Sequence, residues 1–158
     1  MTKRSRHIGW RYWLALDILL ALGLSGVAPA ALPMAIAPGI VQSIHYLRRE
    51  GRWSAFPVQV RVAYLGLLAA GLWAPLAFIH WIQLAGTTAL LTLDYCPLAR
   101  TLSLAPWNRR APLTAALVRC AFFSPPTPGS VIYWLYSNPA LRTGVECAPA
   151  ASGGKKRS

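Results

Sequence analysis

The feature that most constrains this chain is a run of 38 residues, Val62 to Ala99, that holds a single charged side chain, Asp94. A helix of that length would measure about 57 Å, whereas the hydrocarbon core of a bilayer is about 30 Å thick. Folded at its middle, near Pro75, the run becomes two legs that each roughly cross a bilayer. The basic residues at its two ends then lie on the same side. The run therefore predicts a transmembrane helical hairpin.

A second run has the same character. Residues 12–47 hold one charged side chain, Asp17, and would measure about 54 Å as a single helix. Gly26, Pro29 and Pro33 predict a turn near the middle, because proline breaks the helical hydrogen-bond ladder. The resulting legs have only about 16 residues, at the short end for a span, so full crossing and a re-entrant arrangement both stay open.

The composition excludes an ordinary soluble domain. Apolar residues make up 55% of the chain and charged residues 13%, against about 25% charged in typical soluble proteins. The net charge is +12, yet no Lys or Arg lies within 12–47 or 62–99. This positive-inside pattern predicts a multi-pass protein of a bacterial inner membrane with both termini cytoplasmic and anionic lipids as partners. Nucleic acid is not an expected partner, because the basic residues form no single face.

The sequence thus predicts an all-α integral membrane protein, with four short transmembrane helices as two hairpins and C-terminal interfacial amphipathic segments. The predicted divisions are a basic cytoplasmic N-terminus 1–11, hairpins 12–47 and 62–99, a basic connector 48–61, a cytoplasmic or interfacial segment 100–147 and a disordered basic tail 148–158.

Aromatic and basic residues at the edges of the hairpins predict anchors in the headgroup region. An indole ring is apolar but carries an N–H that needs a partner, and arginine binds anionic lipid. The predicted anchors are Trp10, Trp13, Trp53, Trp107, Arg109 and Arg110.

Two motifs at the end of the second hairpin, Asp94-Tyr95-Cys96-Pro97-Leu98-Ala99-Arg100 and Pro106-Trp107-Asn108-Arg109, resemble the closing signature of the YgaP-like transmembrane domain family. Gln59-Val60-Arg61 and Gly86 also resemble family positions, so the resemblance covers residues 59–109. It implies a membrane hairpin and a link to sulfur metabolism, because members are often fused to a rhodanese domain. No rhodanese sequence occurs in the 158 residues.

The polar residues expected inside the membrane are Asp17, Asp94, His80 and Gln83. Charged groups there are costly and mark functional sites by default. Asp17 and Asp94 could line the polar path of a small transporter or channel component. The position of Asp17 near the end of its helix favours the alternative of a near-interface residue paired with Arg11 or another cytoplasmic arginine. No metal ligand set and no cofactor is expected, because no histidine has a Cys, His or Glu at ligand spacing.

Cys96 is the one candidate for catalysis, as the thiol of a membrane enzyme, and the alternative is a packing residue at a turn fixed by Pro97. All three cysteines, Cys96, Cys120 and Cys147, fall on the predicted cytoplasmic side, so we expect them to be reduced.

Small residues on the second hairpin let helices approach closely, either within the hairpin or against a partner. They are Gly66, Ala70, Gly71, Ala85, Gly86 and Ala89. Together these features favour a membrane-embedded interaction or accessory subunit, as a homo-oligomer or as part of a larger membrane complex, over an enzyme.

Overall fold

The computed structural model describes residues 3–108 and 112–123, and every regular element in those ranges is helical. The predicted all-α class is therefore confirmed. Arg109, Arg110 and the predictions for 124–158 lie outside the described residues. The helices are α1 (Lys3–Leu24), α2 (Ala31–Met34), α3 (Ile36–Glu50), α4 (Phe56–Gly71), α5 (Phe78–Leu93), α6 (Pro97–Ser103) and α7 (Ala115–Phe123), with a 3-10 helix (Ala74–Leu76) before α5.

α1 doubles back on α2 and α3 around Gly26, and these three helices form the first doubled segment. Gly26 takes a positive φ of 78°, which glycine adopts without steric cost. The legs come so close beside this turn that a Cβ on Gly23 would lie 2.5 Å from Leu32 Cγ. The chain becomes helical again at Ala31, and this helix is interrupted at Ala35, between α2 and α3. Pro38 lacks the N–H that would bond the carbonyl four residues earlier, which accounts for this break.

The fourth and fifth helices form the second doubled segment. α4 starts after Ala55, whose extended backbone leads into a proline in the first turn. The chain leaves α4 after Gly71, passes through the 3-10 helix, and enters α5. α5 ends at Asp94, which takes the left-handed conformation with φ 53° and donates its backbone N–H to the Ala89 carbonyl.

The four long helices pack side by side around one core. α1 packs against α3 and α5, and α4 packs between α3 and α5. Leu16, Leu20 and Leu68 are fully buried at the centre, with Trp13 and Tyr64 beside them. This arrangement holds the polar residues of α5 against α4, where the candidate site lies.

Within the described residues, one helical segment, Ala74–Leu93, is both long and apolar enough to cross a bilayer, and Phe56–Gly71 is apolar but shorter. α1 carries basic residues along its first three turns, and the break at Ala35 divides α2 from α3. Length and composition alone therefore establish one candidate span where the sequence predicts four.

The end of the described chain packs onto the bundle. α6 contacts α4, and α7 packs on α6 with Leu117, Cys120 and Ala121 buried between them. One side of α7 therefore packs against α6, whereas the sequence predicts an interfacial amphipathic segment here.

Candidate functional site

A cluster of polar side chains is buried between α4 and α5. His80, Gln83 and Thr87 recur at spacings of three and four, so they share one face of α5. All three are buried, as is Tyr64, which faces them from α4. Buried polar groups need hydrogen-bond partners inside the protein, and here the two helices supply them to each other.

The direction of each hydrogen bond follows from the groups involved. The Thr87 hydroxyl donates its one proton to the Gln83 carbonyl over 2.7 Å, so the Tyr64 hydroxyl, 2.8 Å away, donates to Thr87 Oγ1. Gln83 Nε2 donates to the Tyr64 carbonyl over 3.0 Å. The amide of Gln83 is thereby fixed with its oxygen away from that carbonyl. The cluster clasps α5 to α4.

His80 continues this network. Its Nδ1 lies 3.3 Å from Gln83 Oε1. Because that oxygen can only accept, Nδ1 carries the proton and, in the neutral imidazole, Nε2 presents a lone pair. His80 is 1% exposed and Nε2 is buried with no hydrogen-bond partner. Gly71 makes room for the ring, since a Cβ there would lie 2.7 Å from His80 Cε1.

A pocket of about 430 Å³ opens beside His80, at the end of the bundle where both doubled segments turn. Its walls come from the end of α1, the start of α2, the end of α4 and the start of α5. Its lining includes Leu24, Leu32, Ala77, Phe78, His80 and Trp81.

A second buried amide lies on α3. Gln42 is 1% exposed, and neither its Nε2 nor its Oε1 has a hydrogen-bond partner. An unpartnered buried amide costs free energy. The sequence offered no signal for it, because a glutamine in an apolar helix is equally compatible with an outward position.

The two aspartates occupy separate places. Asp17 on α1 lies 3.1 Å from the Thr88 hydroxyl on α5, so it contacts the second doubled segment, and no ion pair with Asp17 occurs among the described residues. Asp94 is exposed and caps α5. It lies six residues beyond Thr88, or about 9 Å along the helix axis. The structure thus gives each aspartate local contacts of its own.

Cys96 begins α6, and its Sγ accepts the backbone N–H of Ala99 over 3.4 Å. Burial raises the pKa of the Cys96 thiol above its ordinary value, against the lowering by that N–H and by Arg61 and Arg100. The thiolate is the nucleophile, so a raised pKa disfavours reactivity at neutral pH. This geometry fits a capping and packing role for Cys96.

The expectation that all three cysteines are reduced is wrong for Cys120. Cys120 on α7 is disulfide-bonded, whereas Cys96 is free. The expectation assumed a reducing compartment on that side and considered only cysteine positions along the chain. A disulfide at Cys120 could not be inferred from the spacing of the cysteines alone.

Arg61 of α4 packs against aromatic rings of α1 and α3. The guanidinium of Arg61 lies 3.3 Å from the centre of the Tyr46 ring and 5.8 Å from that of Trp13, a cation–π arrangement. Trp13 is therefore corrected from a headgroup anchor to a core residue, only 9% exposed, and its ring meets Tyr64 edge-on at 4.9 Å.

Arg100 is buried and joins α6 to α7. Its Nη1 donates to the Ala121 carbonyl, and its guanidinium lies 4.3 Å from the centre of the Tyr95 ring. The Tyr95 hydroxyl donates to the Phe122 carbonyl over 2.8 Å. These two residues explain why α7 docks where it does.

The Pro-Trp-Asn turn is held by Gln59 of α4. Gln59 Oε1 accepts from Trp107 Nε1 over 3.1 Å and from Asn108 Nδ2 over 2.7 Å. The Trp107 ring is 72% exposed, as an anchor requires, and Trp10 and Trp53 are also exposed. Gln59 and the Pro-Trp-Asn turn, which lie far apart in the sequence and both belong to the family resemblance, thus meet in space.

The small residues divide into inward and outward positions. Gly71 packs on His80, and a Cβ on Gly86 would touch Pro97 at 3.4 Å. Gly66 has open space around it, and Ala85 is exposed, while Ala70 and Ala89 are half-buried. Packing within the protein and an outward face therefore both occur, at different residues.

Of the residues singled out from the sequence, His80 and Gln83 meet in one cluster, whereas Asp17, Asp94 and Cys96 lie elsewhere. Tyr64, Thr87 and Gln42 were not foreseen. The sequence signal for Thr87 was its helical spacing from His80. That signal is weak, because a threonine in any apolar helix can bond the carbonyl four residues earlier, so its presence does not indicate a polar cluster.

No group of three His, Cys, Asp or Glu residues in the described ranges is placed to hold a metal ion. Comparison with known proteins gives no further assignment: no family model, curated protein or solved structure matches this chain. The resemblance over residues 59–109 accordingly remains a prediction.

Proposed function

We propose that this chain is a small membrane-embedded interaction subunit whose four long helices lie across a bacterial inner membrane as two hairpins. The observation that carries the proposal is the distribution of polarity across the bundle. Several polar side chains are buried beside the leucine core, and large apolar side chains are exposed on every long helix, whereas the surface of a soluble helical protein is mostly polar. That distribution suits a hydrocarbon solvent, which cannot satisfy polar groups.

The inward set is polar at five positions of α3 and α5, and these side chains are buried: Gln42, Ser43, His80, Gln83 and Thr87. The outward set is apolar on all four long helices: Ile18, Leu22, Ile40, Val41, Ile44, Val62, Phe78, Trp81 and Ile82. Exposed apolar surface of this extent marks contact with a membrane or a protein partner.

Helix lengths fit a thin crossing. After its basic first turns α1 has 13 residues, Tyr12 to Leu24, or about 20 Å, and residues 74–93 give about 30 Å. α4 has 16 residues, or about 24 Å. A short helix is accommodated by local thinning of the bilayer or by association with neighbours. A subunit of a larger membrane complex has such neighbouring helices.

An interaction role is favoured over catalysis by the state of Cys96. The thiol is half-buried, its pKa is raised by that burial, and it caps a helix. A transport role needs charged groups along one path, and the two aspartates are placed apart. The link to sulfur metabolism rests on the resemblance alone and belongs to whatever partner the chain binds.

The proposed orientation places both termini in the cytoplasm. No Lys or Arg lies in either apolar run, so the basic residues lie before, between and after the runs, on the side that the positive-inside rule assigns to the cytoplasm. The disulfide at Cys120 argues in the opposite direction, since disulfides are typical of oxidising compartments. Reporter fusions at Met1, Gly51, Ser158, Pro29 and Pro75 decide between them. We expect cytoplasmic signals from the first three and periplasmic signals from the two turns.

Purification in mild detergent from native membranes, followed by identification of co-purifying proteins, tests the subunit role. Gly66→Leu changes the open outward face and should reduce recovery of a specific partner or of the homo-oligomer. Val62→Leu, one turn away and also exposed, is the matched control. A chain that purifies alone, as a monomer, with or without these substitutions would contradict the proposal.

A further inference from the structure

The pocket at the turn end of the bundle has the size and composition of a small-molecule site. Its volume of about 430 Å³ lies within the roughly 300–1,000 Å³ typical of ligand pockets. Leucine, proline, glycine and alanine make up most of its lining, and Phe78 and Trp81 add two aromatic rings. Such sites usually hold an apolar body with a few fixed polar contacts.

His80 supplies the only side-chain hydrogen-bond acceptor among the residues that line the pocket. The Gln83 amide, fixed by the Tyr64 carbonyl, assigns the ring proton to Nδ1 and leaves the lone pair on Nε2. Nε2 is buried and has no partner. A buried acceptor without a partner is unfavourable, so a ligand that donates one hydrogen bond would relieve that cost.

We propose that this pocket binds a small lipid-soluble phenol, whose hydroxyl donates to His80 Nε2 and whose ring and tail occupy the apolar walls. A hydroxyl is a neutral donor, which suits an apolar pocket better than an ammonium group. An aromatic ring suits the Phe78 and Trp81 walls, because rings pair in stacked or edge-on arrangements. The proposal goes beyond the subunit role and does not depend on it.

Binding of 4-octylphenol and of its methyl ether, 4-octylanisole, to the full chain in lipid nanodiscs provides the test. The two probes share a ring and a tail, but only the phenol donates a hydrogen bond. Saturable quenching of tryptophan fluorescence reports binding, since Trp81 lines the pocket. We expect the phenol to bind about tenfold more tightly, the effect of one hydrogen bond. Equal affinities, or no saturable binding, would overturn the proposal.

His80→Leu removes the acceptor and keeps a side chain of similar size. The tenfold preference for the phenol should disappear, while binding of the ether should persist. His45→Leu, at an exposed position on α3 outside the pocket, is the matched control and should keep the preference. A preference that survives His80→Leu would place the hydrogen bond elsewhere and reject the assignment.

Ala77→Trp gives a second and independent result if His80→Leu does not fold. Ala77 lines the pocket, is exposed and has an ordinary helical backbone, so a large side chain can enter the pocket without disturbing the core. Both probes should lose at least tenfold in affinity. Unchanged binding of either probe would show that it does not occupy this pocket.

Discussion

At the scale of single residues, the backbone of Asp94 carries a conformation that most side chains avoid. Its φ of 53° lies in the left-handed region, where glycine is favoured and aspartate is tolerated. It is the residue directly after α5, and its N–H bonds the Ala89 carbonyl, as in a helix C-cap. This geometry makes Asp94 a capping residue whose charge is incidental.

Substitutions at Asp94 separate capping from charge. Asp94→Val should destabilise the protein by about 1–2 kcal/mol, because a β-branched side chain fits the left-handed region worst. Asp94→Gly should be equal to or slightly more stable than the parent. Thermal unfolding in detergent measures both, and Asp94→Asn is the control that removes the charge alone. A loss for Asp94→Asn as large as for Asp94→Val would restore a role for the carboxylate.

Cys96 should be mostly protonated at neutral pH and therefore slow to react. Burial raises the pKa of its thiol, so the thiolate is scarce at neutral pH and appears only as the pH rises beyond the ordinary cysteine range of about 8.5. The rate of alkylation by iodoacetamide against pH should show a midpoint above that of an exposed cysteine. Thr101→Cys in a Cys96→Ser background supplies that exposed reference on the same helix.

A Cys96 midpoint at or below the reference value would mean that the nearby arginines outweigh burial. The thiol-enzyme alternative would then need to be reconsidered.

At the scale of elements, the clasp between α4 and α5 depends on one close approach. Gly71→Ala should lower stability by about 1–3 kcal/mol, because the new Cβ would overlap the His80 ring. Gly66→Ala on the same helix should instead raise stability by up to about 1 kcal/mol, since the site is open and alanine is the better helix former. Unfolding of both variants in one detergent gives the comparison. Similar effects of the two substitutions would show that α5 does not approach α4 as described.

The helices themselves could be anticipated from the sequence, but their contents only in part. Long uncharged runs and Gly26 or Pro75 suffice to place the elements and the turns between them. The inward partners depend on which faces meet in three dimensions. Trp13 illustrates this limit, because an indole near Arg11 fits a headgroup anchor by sequence, yet in the fold its ring meets that of Tyr64 in the core.

The polar cluster could be anticipated even less. His80 and Gln83 stood out because polar residues are rare in the apolar run, whereas Tyr64 is typical of any such run. Cys120 could not be assigned a disulfide, because bond formation depends on distance in the fold and on the redox state of the compartment. The sequence thus predicted which residues are polar, but it did not determine which side chains they contact.

At the scale of the whole molecule, a hydrogen bond between Asp17 of α1 and Thr88 of α5 joins the two doubled segments, alongside the contacts of Arg61 with Tyr46 and Trp13. Thr88→Val removes this contact and should destabilise the bundle by about 0.6 kcal/mol, an average value for such bonds within membranes. Thr92→Val is the matched control, because the Thr92 hydroxyl bonds only the Thr88 carbonyl of its own helix. Unfolding in detergent measures the difference. Equal losses in the two variants would show that the contact adds nothing to the union of the segments.

The fit between Gly71 and His80 also constrains how this chain can change over time. Any side chain at position 71 would have to displace the ring at position 80, so the two positions cannot vary independently. A lineage that acquires alanine at 71 loses stability unless the side chain at 80 becomes shorter, and a shorter side chain gives up the buried acceptor beside the pocket. Packing and ligand recognition would then be inherited, or lost, as one trait.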